Sequence, residues 1–322
     1  MVRLHLLSGP NEGFVHRCAT RLSSFLEHPL LLRSTSTEES FKLLKDVFAA
    51  GKQADIILHL PWATSLSKWN SRWRHQWGHE GSSPHTLQSI VVCLCTENVV
   101  SQLEKNHLID ETSWAARFVE SLETASQIIM DQPCEQAAKL CQALNHKAEL
   151  QSFNSIRPIQ GPLTDVHGAW AALVNEEKLP PISGVQRFLF STRRPFDRQR
   201  LAAWLREPLT GLIRARGFFW VADAPSIVAE LCVAGSHRSW EPVGTWWIGM
   251  RRSHWPKDPA QIARIQEQWH PDFGDRLQAI GCIGLNCDPV LLKSGLESCL
   301  LSIDDLGTQW ANVAMVPAPF SD

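Results

Sequence analysis

Three short runs constrain this chain more than any other feature. Asp55-Ile56-Ile57-Leu58-His59-Leu60, Ile90-Val91-Val92-Cys93-Leu94-Cys95 and Gln127-Ile128-Ile129-Met130 are apolar without alternation. A strand with one wet face alternates, so continuous runs of this length belong to strands covered on both faces, as in a parallel sheet. Helical spacing fills the gaps. Phe41, Leu44, Lys45 and Phe48 follow a Ser34 to Glu39 helix start and precede the first run. Trp114, Phe118, Leu122 and Ala125 precede the third, and Ala137, Leu140, Cys141 and Leu144 follow it. Strands alternating with helices predict an α/β domain of three layers with right-handed crossovers.

The same logic adds a first strand at His5 to Ser8, a second at Leu30 to Leu32, and a helix carrying Phe14, Cys18, Leu22, Phe25 and Leu26. Gly9-Pro10-Asn11-Glu12-Gly13 joins the first strand to that helix. Strand, glycine turn and helix is the layout of a phosphate-binding loop, which needs Gly-x-x-x-x-Gly-Lys-Ser/Thr. Counting from Gly9 places Phe14, Val15 and His16 where Gly, Lys and Ser/Thr should stand. Gly9 and Gly13 are therefore either a vestigial phosphate loop or an ordinary turn at a helix start, where an anion would bind weakly.

The chain's 322 residues, 44% of them apolar, suffice for two cores. The expected division is a domain over 1–152, a Pro- and Gly-bearing linker over 153–183 around a short helix at Trp170 to Val174, and a second domain over 184–322. A net charge of -2 and a pI near 6.7 exclude whole-chain attraction to nucleic acid or to an anionic membrane. The apolar stretch near Met1 is too short for a signal or a spanning helix, so a cytoplasmic location is expected. Nine cysteines among apolar neighbours read as reduced thiols. Fourteen Trp and no Tyr place many indoles whose N–H groups need partners.

Between Trp69 and His85 lie three histidines, His75, His79 and His85. A helix at the start of this segment puts His75 and His79 on one face, and His85 folding back would complete a triad suited to zinc. The other reading is a loop whose Trp residues pack while its histidines stay in water. Cys93 and Cys95 share one side of their strand, which burial explains equally well.

The second half reads differently. Val185 to Thr192 alternates as a strand, Asp197 caps a helix with Leu201, Trp204 and Leu205, and Gly217 to Val221 forms a short aromatic strand. Ile227 to Cys232 fits either helix or strand. Strands at Trp240 to Ile248 and Leu277 to Leu285, with helices at Pro259 to Trp269 and from Asp288-Pro289 onward, complete an α+β domain.

Taken together, Arg193-Arg194-Pro195-Phe196, Gly217-Phe218-Phe219-Trp220, Trp246-Trp247, Phe273-Gly274-Asp275-Arg276 with Gln278, Ile283-Gly284 and the Leu291 to Leu301 helix resemble the C-terminal domain of the CobW family. That resemblance implies an N-terminal P-loop GTPase-like domain and a role in metal handling: zinc or cobalt insertion, zinc homeostasis or cobalamin biosynthesis. It places Ala54 to Pro61 where the family's magnesium and switch strand runs. The family's phosphate-loop Lys and Ser/Thr are absent, Asp131-Gln132-Pro133-Cys134 stands where the guanine-reading motif belongs, and no Cys-x-Cys-Cys motif precedes the switch strand. The expectation is a pseudo-GTPase of metal homeostasis, with no catalytic residue assigned and a protein partner on the C-terminal domain, where Arg193, Arg194 and Trp220 serve structure at a domain seam. The alternatives are a metallochaperone with residual GTP binding or hydrolysis, and a nucleotide-independent carrier using the three histidines.

Overall fold

The computed structural model describes residues 2–51, 55–77, 85–97, 99–105, 107–109, 112–158 and 168–302. The chain forms two compact units, Met1–Ala169 and Trp170–Asp322. Their division falls inside the stretch expected as linker, within a short helix, α6 (Ala169–Val174).

In the first unit six strands, β1 (Val2–Ser8), β2 (Leu30–Arg33), β3 (Asp55–His59), β4 (His85–Leu94), β5 (Gln127–Met130) and β6 (Glu149–Ser152), pair in parallel in the order β2-β3-β1-β4-β5-β6. The three apolar runs are the strands flanking β1 and the next one out. Every residue of β3 and β5 is buried, which is why the runs do not alternate. Helices α1 (Glu12–Ser23), α2 (Thr37–Ala49), α3 (Leu66–Trp77), α4 (Trp114–Thr124) and α5 (Glu135–Leu144) make the crossovers. On one face α1 buries Phe14, Val15, Cys18 and Leu22 against Leu7, Ile57, Val91 and Ile129.

The tryptophans of the first unit have a local explanation. Trp69, Trp73 and Trp77 recur at helical spacing on α3 and pack on Phe41 and Phe48 of α2, with ring centroids 4.9 to 6.1 Å apart. The buried Trp69 indole donates to the Ser40 hydroxyl at 2.9 Å, so its own N–H is met.

Five antiparallel strands build the second unit: β7 (Val185–Thr192), β8 (Leu212–Phe219), β9 (Ile227–Ala234), β10 (His237–Thr245) and β11 (Gln278–Leu285), in the order β10-β9-β8-β11-β7. Their core joins Phe190, Phe196, Phe219, Leu231 and Ile280 to Leu201 of α7 (Arg198–Trp204) and Leu296 of α9 (Pro289–Ser298). Asp197 and Asp288 cap these helices, accepting from Arg200 N at 2.8 Å and Val290 N at 2.9 Å. The remaining helix, α8, spans Pro259–Glu267.

Two boundaries differ from expectation. β8 starts at Leu212, five residues before the Gly217 the sequence points to, because Arg214 sits buried and hides the strand pattern; its guanidinium donates to the Cys232 thiol at 3.3 Å. β10 starts at His237 and ends at Thr245, leaving Trp246 to Ile248 in a turn held by Asp275, which accepts from Trp247 N and Ile248 N at 2.8 and 3.0 Å. Among the described residues no helix is long and apolar enough to cross a membrane.

Candidate functional site

Open α/β sheets bind ligands outside the carboxyl ends of their strands, near the point where strand order reverses. Here that place is the end of β1 and its neighbours β3 and β4. β1 ends at Ser8 and α1 begins at Glu12, so only Gly9, Pro10 and Asn11 connect them. A Cβ on Gly9 would stand 2.3 Å from the Cys93 carbonyl oxygen, so this glycine is a close-packing contact. Asn11 accepts from Phe14 N at 2.9 Å, taking one of the free N–H groups a bound phosphate would use. Gly13 lies inside the first turn of α1. Glu12 adds a carboxylate at the positive end of the helix, paired with Arg33 at 2.6 Å.

β3 leads to a second group of side chains at this end. His59 is buried, and its basicity is lowered first by that burial, then by Arg33 and His16, with Glu12 opposing. Glu12 and His16 of α1 and Arg33 of β2 thus lie within electrostatic reach of His59 of β3, brought there by three separate elements. No motif spacing unites them; the single sequence sign is a histidine interrupting the apolar run of β3. At the end of β5, where a guanine-reading carboxylate is expected, Asp131 accepts from Thr96 N, Thr96 Oγ and Gln132 N, each at 2.9 Å. Its Oδ1 is spent on the loop.

Of the three candidate metal-ligating histidines, His75 is exposed on α3 and His85 begins β4. The His85 ring stacks on Phe48 with centroids 3.8 Å apart, and burial lowers its basicity. His79 lies outside the described residues. Among the described residues no group of three or more His, Cys, Asp or Glu is disposed to hold a metal ion. Cys93 and Cys18 are buried neighbours, and desolvation first, then contact with Cys18, drives the Cys93 thiol well above its ordinary pKa. Such a thiol stays protonated and behaves as a small apolar group.

In the second unit the motif residues hold one another. The Arg193 guanidinium donates to the carbonyls of Gly274, Arg276 and Gln268 at 3.0, 3.0 and 2.8 Å. Arg194 reaches Leu301 O at 2.8 and 2.6 Å. The buried Gln278 accepts from Trp220 N at 2.9 Å and donates to Arg194 O and Trp220 O at 2.8 and 3.0 Å. Arg276 lies over the Trp220 ring, 5.1 Å from its centroid, and donates to Pro225 O at 2.6 Å. Arg193, Arg194, Trp220 and Gln278 therefore form a structural clasp whose partners belong to this unit, and none of these contacts presents a reactive group.

These features define a two-unit α/β protein: a P-loop-like parallel sheet with a tight turn between β1 and α1, followed by an antiparallel domain built on an arginine and tryptophan clasp. Residues 185–300 match the family model for the cobalamin synthesis protein CobW C-terminal domain. The match lies within the second unit, which has the fold of a CobW C-terminal domain. The chain is 26% identical over 220 residues to the zinc-regulated GTPase metalloprotein activator 1 of Dictyostelium discoideum, covering 61% of this chain and 46% of that protein. It is 31% identical over 150 residues to a zinc chaperone of Mycobacterium tuberculosis, covering 45% and 37%. In each case the match spans less than half of the curated relative. A weak structural likeness, TM-score 0.39 at 11% identity over 93% of this chain and 99% of the other, links it to a Zn(II)-bound YjiA GTPase from E. coli.

Proposed function

We propose that this chain serves zinc homeostasis by binding, without turning over GTP, and that its second unit offers the surface for a protein partner. The observation that carries the reading is the three-residue turn between β1 and α1, packed at Gly9 and capped by Asn11, in a chain lacking the phosphate-loop Lys and Ser/Thr. A phosphate site works by aiming N–H groups and a cation at the charge. Here the turn sets a carboxylate, Glu12, in that place. The zinc assignment follows the names of the two curated relatives, which favour it over cobalamin-related metal delivery.

Calorimetry of the full chain with magnesium and GTP tests the first half of the reading: no heat of binding is expected, and a micromolar Kd would sink it. Zinc titration against a chelator tests the second. Comparison with a His75→Ala, His79→Ala, His85→Ala variant then separates a histidine-loop carrier, which would lose affinity, from any other donor set, which would keep it.

A further inference from the structure

A large cavity of the first unit lies at the opposite end of its sheet. About 1110 Å³ in volume, it opens beside the amino ends of β1, β4 and β6, between the residues that follow α1 and the stretch over 155–158. The interior face of a parallel sheet is normally apolar, yet here it carries His5, Gln88, Ser89, Gln127 and Gln151, all buried. Burying so many polar groups is unfavourable unless each is bonded, so their arrangement has content.

Two of them hold a single peptide. Gln151 accepts from Arg157 N at 2.8 Å and Gln127 donates to Arg157 O at 2.8 Å, gripping that residue from both sides. Gln127 Oε1 remains buried without a partner. The Arg157 guanidinium on the cavity wall has no partner among the described residues. Arg3, the other cation, is spent on Asp55 at 2.6 and 2.7 Å. Glu27, which follows α1 in the same lining, makes no hydrogen bond among the described residues and acts on Arg3 only through its charge, and Glu149 already accepts from Gln151 at 2.6 Å. In the floor, His5 Nδ1 bonds Ser89 at 2.8 Å, which leaves Nε2 for the cavity. The half-exposed Phe25 stands at the rim.

A guanidinium and a carboxylate in one cavity lining, neither with a side-chain hydrogen bond among the described residues, call for a ligand with both charges. An anion alone would face two carboxylates; an amine alone would leave Arg157 unmet. We propose that this cavity binds a small zwitterion of the amino-acid type, its carboxylate on the Arg157 guanidinium and its ammonium on the Glu27 carboxylate. The neutral His5 imidazole supplies a hydrogen bond from beneath, and the two glutamines are positioning residues that keep Arg157 in place.

Calorimetric titration of the full chain with each of the twenty free L-amino acids at millimolar concentration tests this. At least one should bind saturably, and its N-acetyl form and its primary amide should each bind about tenfold or more weakly, the worth of one charged hydrogen bond. Arg157→Gln and Glu27→Gln should each show a similar loss, with unchanged melting curves because both side chains are exposed. The proposal fails if no amino acid binds, if both variants bind as the wild type does, or if either blocked form binds as well as its parent. In the last case the site takes a simple anion or a simple amine.

Discussion

The two ends of the first unit's sheet make opposite use of their polar groups. At the carboxyl end, where sheets of this kind take ligands, Asn11 caps α1, Glu12 pairs with Arg33, and Asp131 is consumed by Thr96 and Gln132. At the amino end, buried glutamines fix the Arg157 backbone and leave its guanidinium uncommitted beside a large cavity. The difference shows that a fold's customary site is only a location. Whether it binds anything depends on which donors and acceptors are left over once the local structure has been satisfied.

The sharpest way to break this comparison is at Gly9. If the turn is closed packing, Gly9→Val must displace the Cys93 carbonyl, and a loss of about 3 kcal/mol in urea unfolding is expected. A turn that opens to admit phosphate would accommodate the side chain at little cost. The amino end is probed by pH. Burial above all, with Asp55 opposing and Arg3 adding a little, lowers the folded-state pKa of His5 from 6.5 to about 4. Between those values the unfolded chain binds a proton that the folded chain refuses, so stability falls as pH drops through this window and is fully retained above it. From pH 7 to 5 the loss from this group is about 2 kcal/mol. A His5→Asn variant should show a flatter profile over the same range in denaturant melts; an identical slope would mean that this imidazole titrates freely.

How much of this is legible beforehand differs between the same two ends. The strands at the centre of the sheet read directly, because burial on both faces writes a continuous apolar run such as Ile56 to Leu58. The caps Asp197 and Asp288 read as well, being local devices that act within one helical turn. β6, with the sequence Glu-Leu-Gln-Ser, does not read as a strand, since it pairs only with β5 and three of its four residues are polar. Gln127 and Gln151 carry no signal either. Their role depends on Arg157, which reaches Gln127 only by returning across the sheet after β6. The cluster of Glu12, His16, Arg33 and His59 is hidden for the same reason: only Glu12 and His16 share an element, and crossover topology brings Arg33 and His59 to them.

The smallest expected effects bear on what occupies the start of α1. Asn11→Ala removes the cap on Phe14 N and should lower stability by about 1 kcal/mol. Gly13 sits within the helix at an ordinary backbone conformation, where a Cβ would meet only Asn11 Oδ1 at 3.4 Å. Gly13→Ala should therefore leave stability unchanged or raise it by up to about 1 kcal/mol, the usual gain from replacing a helical glycine. The pair is informative because phosphate reverses the order. Were an anion to take the freed N–H groups, millimolar inorganic phosphate would restore the melting temperature of Asn11→Ala toward wild type, whereas an alanine at Gly13 would leave that response untouched. With Glu12 at the same helix end, no such rescue is expected, and the deficit of Asn11→Ala should persist at every phosphate concentration.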